Sequence, residues 1–275
     1  MDQDFHGAQP ASVRLLAGSP NFRDLGGLRG ADGRVVRAGM VYRSGALDGL
    51  LAADLALLET LGVSLCCDLR TGSERTLSPS RWPEGRVPRL LELEFSSDVR
   101  ALSPELMQLL SDAPSPDNAM QMMLGLYRSM PATCAPLLAR LFPDLAGAAD
   151  AFPVVIHCTA GKDRTGFVVA VLLTVLGVAP ADICADYLYS NHSSEHLRRN
   201  AKVQALLQQL LGMTPDPHAV DALTRAAPEY LDAALGEVRQ GYGSVERYLR
   251  EAAGIDEAMQ DRLRQRLLEA TAASA

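Results

Sequence analysis

The chain's 275 residues reach the upper size that one hydrophobic core serves, and a hydrophobic share of 48% with 21% charged residues excludes a wholly disordered chain. A formal net charge of -7 speaks against a general nucleic-acid binder, which needs a basic surface to displace counterions from phosphates. Five cysteines, an odd number without metal-ligand spacing, fit a reducing compartment better than a disulfide framework and imply no metal cofactor.

Residues 1–20 lack the basic and apolar regions of a secretory signal and read as a loose arm, with 21–275 as one domain. That favours a cytoplasmic location, although specialised export leaves no readable trace. Gly33 to Arg43 reads as short strands about a turn at Gly39. Leucines at 51, 55, 58 and 61 place a helix over Leu50 to Leu61, ended by Gly62. The apolar run Val63 to Leu69 then has the length and flanks of a buried parallel strand.

After "RTGSER" and the Pro- and Gly-rich "SPSRWPEGRVP" comes a strand over Arg89 to Phe95. The methionine-rich segment 96–130 carries "DAPSPDN" between helix-like stretches and is expected to be a helical insertion or lid. A helix over Ala132 to Ala149 precedes a strand beginning at Phe152. The run Phe167 to Ala179 falls short of the ~20 residues that span a bilayer and reads as a buried helix, so no stable membrane insertion is expected. The remainder is mostly helical, broken at "GMTPDPH" and "GYGS". The alternation predicts an α/β fold with a parallel-rich sheet flanked by helices, whose sites form at the carboxyl ends of strands.

One such end carries "VVIHCTAGKDRTG", Val154 to Gly166. A thiol after a strand, in a loop that turns into a helix, meets converging backbone N–H groups and the positive end of the helix. That field favours the thiolate of Cys158 and also a phosphate-like dianion. Arg164 follows six residues later, close enough for the loop to turn its fork back across the cup toward two phosphoryl oxygens. Gly161 lets the backbone curve, and Gly166 lets the helix start near the sheet. The spacing therefore describes in-line phosphoryl transfer to sulfur, with the backbone from Cys158 through Thr159, Ala160, Gly161, Lys162 and Asp163 to Arg164 as the phosphate cradle. His157 is expected to fix the loop by a backbone hydrogen bond, and Thr165 to donate its hydroxyl to the departing sulfur. A buried structural cysteine would not need this arrangement of glycines and arginine, and no Lys-Ser or Lys-Thr pair follows the glycine as a Walker-type loop requires.

The signature H-C-x(5)-R-T-G resembles that of cysteine-based protein tyrosine phosphatases. The form "HCTAGKDRTG" is similar to a bacterial branch of tyrosine and phosphoinositide phosphatases typified by mycobacterial protein tyrosine phosphatase B. "NFRDLGG" at Asn21 to Gly27, "YRSGAL" at Tyr42 to Leu47, "CDLRTGSER" at Cys67 to Arg75, "DYLYSN" at Asp186 to Asn191 and "YGSVERYL" at Tyr242 to Leu249 resemble that family's landmarks in order. The resemblance implies a phosphatase α/β fold with a helical lid, acting on a phosphorylated protein or phospholipid without a cofactor. It further implies that Lys162 widens acceptance toward highly charged phosphoinositides and that Asp163 is a candidate proton donor. The family's other acid position corresponds to Asp98 in "LEFSSD", one residue out of register.

Trp82-Pro83-Glu84 imitates the acid loop of other tyrosine phosphatases, but its Pro- and Gly-rich turn predicts a solvated Glu84. Asp24, Arg43, Asp68, Arg70, Glu74, Asp186 and Asn191 are expected to build a scaffold of paired charges under the loop. The adjacent Cys66 and Cys67 point to opposite strand faces and read as core side chains rather than as a thiol that shields Cys158. His192, His196 and His218 fall on polar helical surface. Two other functions use such a cup: a phosphate-binding pseudophosphatase, and sulfur or arsenate chemistry that would need Cys66 or Cys67 as a resolving thiol.

Overall fold

A computed structural model describes residues 16–95, 115–192, 200–201, 203–205, 207–209 and 214–271. Its centre is a five-stranded sheet in the order β1-β3-β6-β4-β5, formed by Arg23–Asp24 (β1), Val41–Ser44 (β3), Val154–His157 (β6), Leu65–Asp68 (β4) and Arg89–Glu92 (β5). β3, β6, β4 and β5 run parallel, and β1 caps one edge antiparallel to β3. Val35–Val36 (β2) and Leu268–Glu269 (β7) make a separate antiparallel ribbon. The predicted α/β class with a parallel-rich sheet is the observed one. Residues of β3, β4 and β6 are buried without exception, as expected of strands covered on both faces.

The first helix, α1 (Ala52–Leu61), stops where predicted, with Gly62 in the left-handed region at φ 63°. Asp54 in its first turn accepts the amides of Leu51, Ala17 and Gly18 at 2.9 Å each, tying the incoming chain to the helix. A short α2 (Gly72–Leu77) follows β4 and is opened by a capping box between Thr71 and Glu74.

The element that departs from expectation is α3, one helix over Pro116–Gly147. The sequence instead predicts an insertion ending at residue 130 and a separate helix over Ala132 to Ala149; a proline inside a helix removes an N–H and crowds the preceding turn. The structure carries the helix through Pro131, Pro136 and Pro143 because its inner face is continuous core: Ala119, Met122, Met123, Leu126, Tyr127 and Met130 are as buried as Leu138, Leu141 and Phe142. Of the expected insertion 96–130, residues 96–114 lie outside the described residues, whereas 116–130 are the buried first half of α3. Met122 and Met123 accordingly fill core space and not an adaptable surface.

Helix α4 (Asp163–Val175) starts four residues earlier than the apolar run suggested and is buried along almost its whole length between sheet and helices. It is followed by α5 (Pro180–Tyr189), α6 (Pro217–Thr224), α7 (Pro228–Tyr242), α8 (Val245–Ala253) and α9 (Glu257–Leu267). The last four pack on α3, and the Tyr248 hydroxyl donates to the Pro131 carbonyl at 2.7 Å. Among the described residues no helix is long and apolar enough to cross a membrane.

Candidate active site

The parallel strands aim their carboxyl ends at one edge, where β3, β4 and β6 release three loops side by side. The loop after β6 holds Cys158 to Lys162 and is stitched to both neighbours: the Ala46 amide donates to the Thr159 carbonyl at 3.0 Å, and the Leu69 amide to that of His157 at 2.9 Å. Gly161 sits at φ 65°, and a Cβ there would lie 2.3 Å from the Ser44 carbonyl oxygen. Only glycine fits that curve. Cys158 is almost fully buried, and the Gly161 amide donates to its Sγ at 3.3 Å. The loop thus closes over the sulfur as its spacing predicted.

Behind the loop stands a set of buried charges. Asn21 Nδ2 donates to the Ala160 and Gly161 carbonyls at 3.0 and 3.1 Å, and Arg43 Nη2 donates to the Gly161 carbonyl at 2.8 Å. Asp186 on α5 binds Arg43 Nη1 and also Arg23 Nε, the latter at 2.7 Å. Burial pulls the Arg23 guanidinium down to about 10, still well above neutral pH. Burial opposes ionisation of Asp186, but Arg23 and Arg43 outweigh it and hold the carboxyl below its usual range. Asp68 holds Arg70 through both oxygens at 2.7 to 3.2 Å. Asp24 has another task, accepting the amides of Gly26 and Gly39 at 2.9 and 2.6 Å and so folding the turns that flank β1. Asn191 pins Ala226 with hydrogen bonds of 2.8 and 2.7 Å.

Arg164, in the first turn of α4, turns back toward the loop. Its Nη1 and Nη2 meet Glu74 Oε2 and Oε1 at 2.7 and 2.8 Å, Nη1 also reaches the Leu69 carbonyl at 3.2 Å, and Nη2 the Thr159 hydroxyl at 3.3 Å. Burial lowers the guanidinium's affinity for its proton, but the Glu74 hydrogen bonds raise it by more. Four of its five N–H bonds are thereby engaged. Nε has no hydrogen-bond partner among the described residues.

Asp163, at the first position of α4, accepts the Tyr127 hydroxyl on Oδ1 at 2.6 Å, and Tyr127 in turn shares a 2.7 Å hydrogen bond with Tyr187. Burial, foremost, and the nearby Asp163 push the Tyr127 hydroxyl well up, so it remains a donor at any ordinary pH. Lys162 Nζ lies 3.2 Å from the same Oδ1 and donates to the Leu223 and Arg225 carbonyls at 3.2 and 3.0 Å. The lysine ammonium thus joins Asp163 to the two carbonyls at the end of α6.

His157 is fully buried, with Nδ1 3.3 Å from the Cys158 carbonyl oxygen and Nε2 3.5 Å from Asp68 Oδ2. Burial pushes its imidazole down to about 4, so it is neutral at pH 7. Thr165 is also fully buried, and its Oγ1 has no hydrogen-bond partner among the described residues. Asp98 and His196 lie outside the described residues.

Glu84 is exposed in a turn closed by the Arg86 amide on the Pro83 carbonyl at 3.1 Å. Trp82 and Pro83 lie beside Leu58, Gly62 and Val63, ahead of β4, whereas Cys158 lies past the end of β6. The two strands are parallel, so Trp82-Pro83-Glu84 stands at the far edge of the sheet from the loop. Cys66 and Cys67 are buried within β4, where burial pushes both thiols up. Among the described residues no group of three metal-ligating side chains forms.

Sequence reasoning missed the roles of Tyr127, Tyr187 and Asn21. Asn21 and Tyr187 lay within quoted landmarks, but nothing in the chain's pattern joins residue 127 to the loop before the fold is known.

Comparison with known proteins bears on this geometry. A family described as the tyrosine phosphatase family matches residues 15–269. A Cupriavidus necator protein provisionally named a tyrosine-protein phosphatase is 38% identical, covering 86% of this chain and 83% of its own. The triple specificity protein phosphatase PtpB of Mycobacterium tuberculosis is 34% identical over 94% of this chain and 99% of its own, and a tyrosine-protein phosphatase of Nostoc commune is 28% identical over 94% and 90%. With a match that runs from the first described residue to β7 and takes in the whole loop, the chain belongs to the tyrosine phosphatase family.

Proposed function

We propose that the chain hydrolyses phosphotyrosine monoesters through a phosphocysteine on Cys158. The observation that carries this reading is the closure of the Cys158-to-Arg164 loop, with the Gly161 amide on the sulfur and the Arg164 guanidinium brought back beside Thr159. In the first step the sulfur attacks phosphorus, the S–P bond forms and the ester P–O bond breaks, leaving a tyrosine oxygen that takes a proton. In the second, water attacks phosphorus and the thiolate is restored. Arg164 meets the phosphoryl oxygens with Nε and with the Nη2 proton that the Thr159 hydroxyl now accepts, while Glu74 holds the opposite side of the fork.

Asp163 carries the proton. Tyr127 and Lys162 fix its Oδ1, and Oδ2 has no hydrogen-bond partner among the described residues. Asp98 is the competing acid. The two are separated with aryl phosphates of good and poor leaving groups: Asp163→Asn should slow the poor ones by about 10²- to 10⁴-fold and leave 4-nitrophenyl phosphate much less affected. If only Asp98→Asn shows that pattern, the proton belongs to Asp98.

The nucleophile is tested by Cys158→Ser in the presence of a chelator. Turnover retained in that variant would end the phosphocysteine reading. Burial of Cys66 and Cys67 works against a sulfur-relay chemistry, since both thiols stay protonated and enclosed.

A further inference from the structure

Beside the cup lies a cavity of about 300 Å³, lined in part by Thr159 of the catalytic loop and by Glu74, which grips Arg164. Its opposite wall is built rigidly. Asp54 fixes the amides of Ala17 and Gly18, and Gly18 packs so closely on Gly49 that a Cβ on it would stand 2.1 Å from the Gly49 carbonyl oxygen.

The charges lining this cavity do not balance. Arg70 reaches it, but Asp68 neutralises its guanidinium, and its Nη1 donates to the Ser78 carbonyl at 2.7 Å. Glu74 is matched by Arg164. Asp48 is exposed and within electrostatic reach of Arg70, but among the described residues no hydrogen bond or ion pair engages its carboxylate. The cavity's net sign is therefore that of Asp48. Leu77, 78% exposed, supplies an apolar wall on the way in. An apolar wall leading to a carboxylate that no hydrogen bond or ion pair among the described residues engages suits a long aliphatic side chain with a cationic end.

We propose that this cavity is a recognition subsite for a lysine or arginine that flanks the phosphotyrosine of a protein substrate, with Asp48 as its specificity-determining carboxylate. The proposal rests on the phosphotyrosine reading above and names the substrate class. The same carboxylate repels a second phosphate on this side of the cup, and Lys162, held by the Leu223 and Arg225 carbonyls, does not offset it.

The test uses phosphotyrosine peptides with Lys, Ala or Glu one and two residues either side of the phosphotyrosine. Each rate is divided by the same enzyme's rate on free phosphotyrosine, so that a poorly folded variant is recognised. The wild type should prefer the best lysine peptide over its glutamate counterpart by roughly 3- to 10-fold, and the preference should shrink as salt is raised. It should vanish in Asp48→Asn and invert in Asp48→Lys. A wild-type ratio of one, or a preference that both variants retain, overturns the subsite. So does a soluble phosphatidylinositol bisphosphate that outpaces the lysine peptide in the wild type and gains no further on it in either variant. Turnover of free phosphotyrosine by Cys158→Ser is read on a substrate that never enters the cavity, and removes instead the reading on which the subsite rests.

Discussion

Glu74 and Arg164 face each other as a parallel fork, with Nη1–Oε2 at 2.7 Å and Nη2–Oε1 at 2.8 Å, and the Thr71 amide holds Glu74 from behind at 2.8 Å. Burial opposes ionisation of Glu74, but Arg164 overrides it and keeps the carboxyl far below its usual range. Glu74 is thus a charge at every working pH, and its capping box sets where the guanidinium lies. Glu74→Gln keeps the shape and removes the charge. We expect kcat/KM on 4-nitrophenyl phosphate to fall by roughly 10- to 100-fold, in line with the cost of small misplacements in a cup that works by orientation. Arg164→Lys should fall further, because an ammonium cannot serve Glu74 and phosphate as a fork. A Glu74→Gln enzyme with wild-type kinetics would show that the pair is merely structural.

Tyr127 reaches Asp163 from the middle of α3, and Tyr187 backs it from α5. Tyr127→Phe deletes one oxygen, leaves the Tyr187 hydroxyl without this partner in a buried place, and frees Asp163 Oδ1 from its shortest tether. The expected stability loss is about 1 to 3 kcal/mol, measured by urea denaturation. The informative readout is the ratio of kcat for 4-nitrophenyl phosphate to kcat for phenyl phosphate. If Asp163 handles the leaving-group proton, that ratio should rise in Tyr127→Phe as it does, more strongly, in Asp163→Asn. A ratio equal to the wild type's would leave Tyr127 as packing alone.

The loop, the sheet and the end of α1 were legible because each depends on neighbours in sequence: strand, glycine, arginine and helix within one short stretch. α3 was not, because the continuous buried face that joins its two halves is supplied only by the assembled fold. The charged scaffold was legible as a set and not in its pairing. Asp186 joins Arg23 to Arg43, and Glu74 grips the clamp itself, across 163, 143 and 90 residues of chain. Lys162 was legible as a loop position and not in its contacts: its ammonium meets the carbonyls of Leu223 and Arg225.

His157 supplies a pH dependence that belongs to folding. Burial holds its imidazole down to about 4, below the ordinary value near 6.5. The unfolded chain therefore takes up this proton first as pH falls, and the stability it represents is present above about 6.5 and is lost toward 4. The loss is on the order of 3 kcal/mol across that window. The urea midpoint should fall less between pH 7 and pH 4.5 in His157→Gln than in the wild type. Parallel pH profiles for the two proteins would contradict the assignment.

Gly161 is the position where one methyl group should decide whether the cup exists. Its φ of 65° disfavours any side chain, and the Ser44 carbonyl oxygen stands 2.3 Å from where a Cβ would go. The contact is backbone against backbone, so no rotamer change relieves it. Nor can β3 withdraw, since Arg43 and Asn21 both hold the Gly161 carbonyl. In Gly161→Ala the loop must therefore open at the residue whose amide meets the sulfur. We expect activity on 4-nitrophenyl phosphate to drop by at least about 10²-fold, through loss of an amide positioned for the transferring group. The Cys158 thiol should at the same time react with iodoacetate at a changed rate, since the amide that meets its sulfur is displaced. Unchanged alkylation with lost turnover would place the damage in phosphate binding alone, and unchanged turnover would mean that the loop does not take the curve described here.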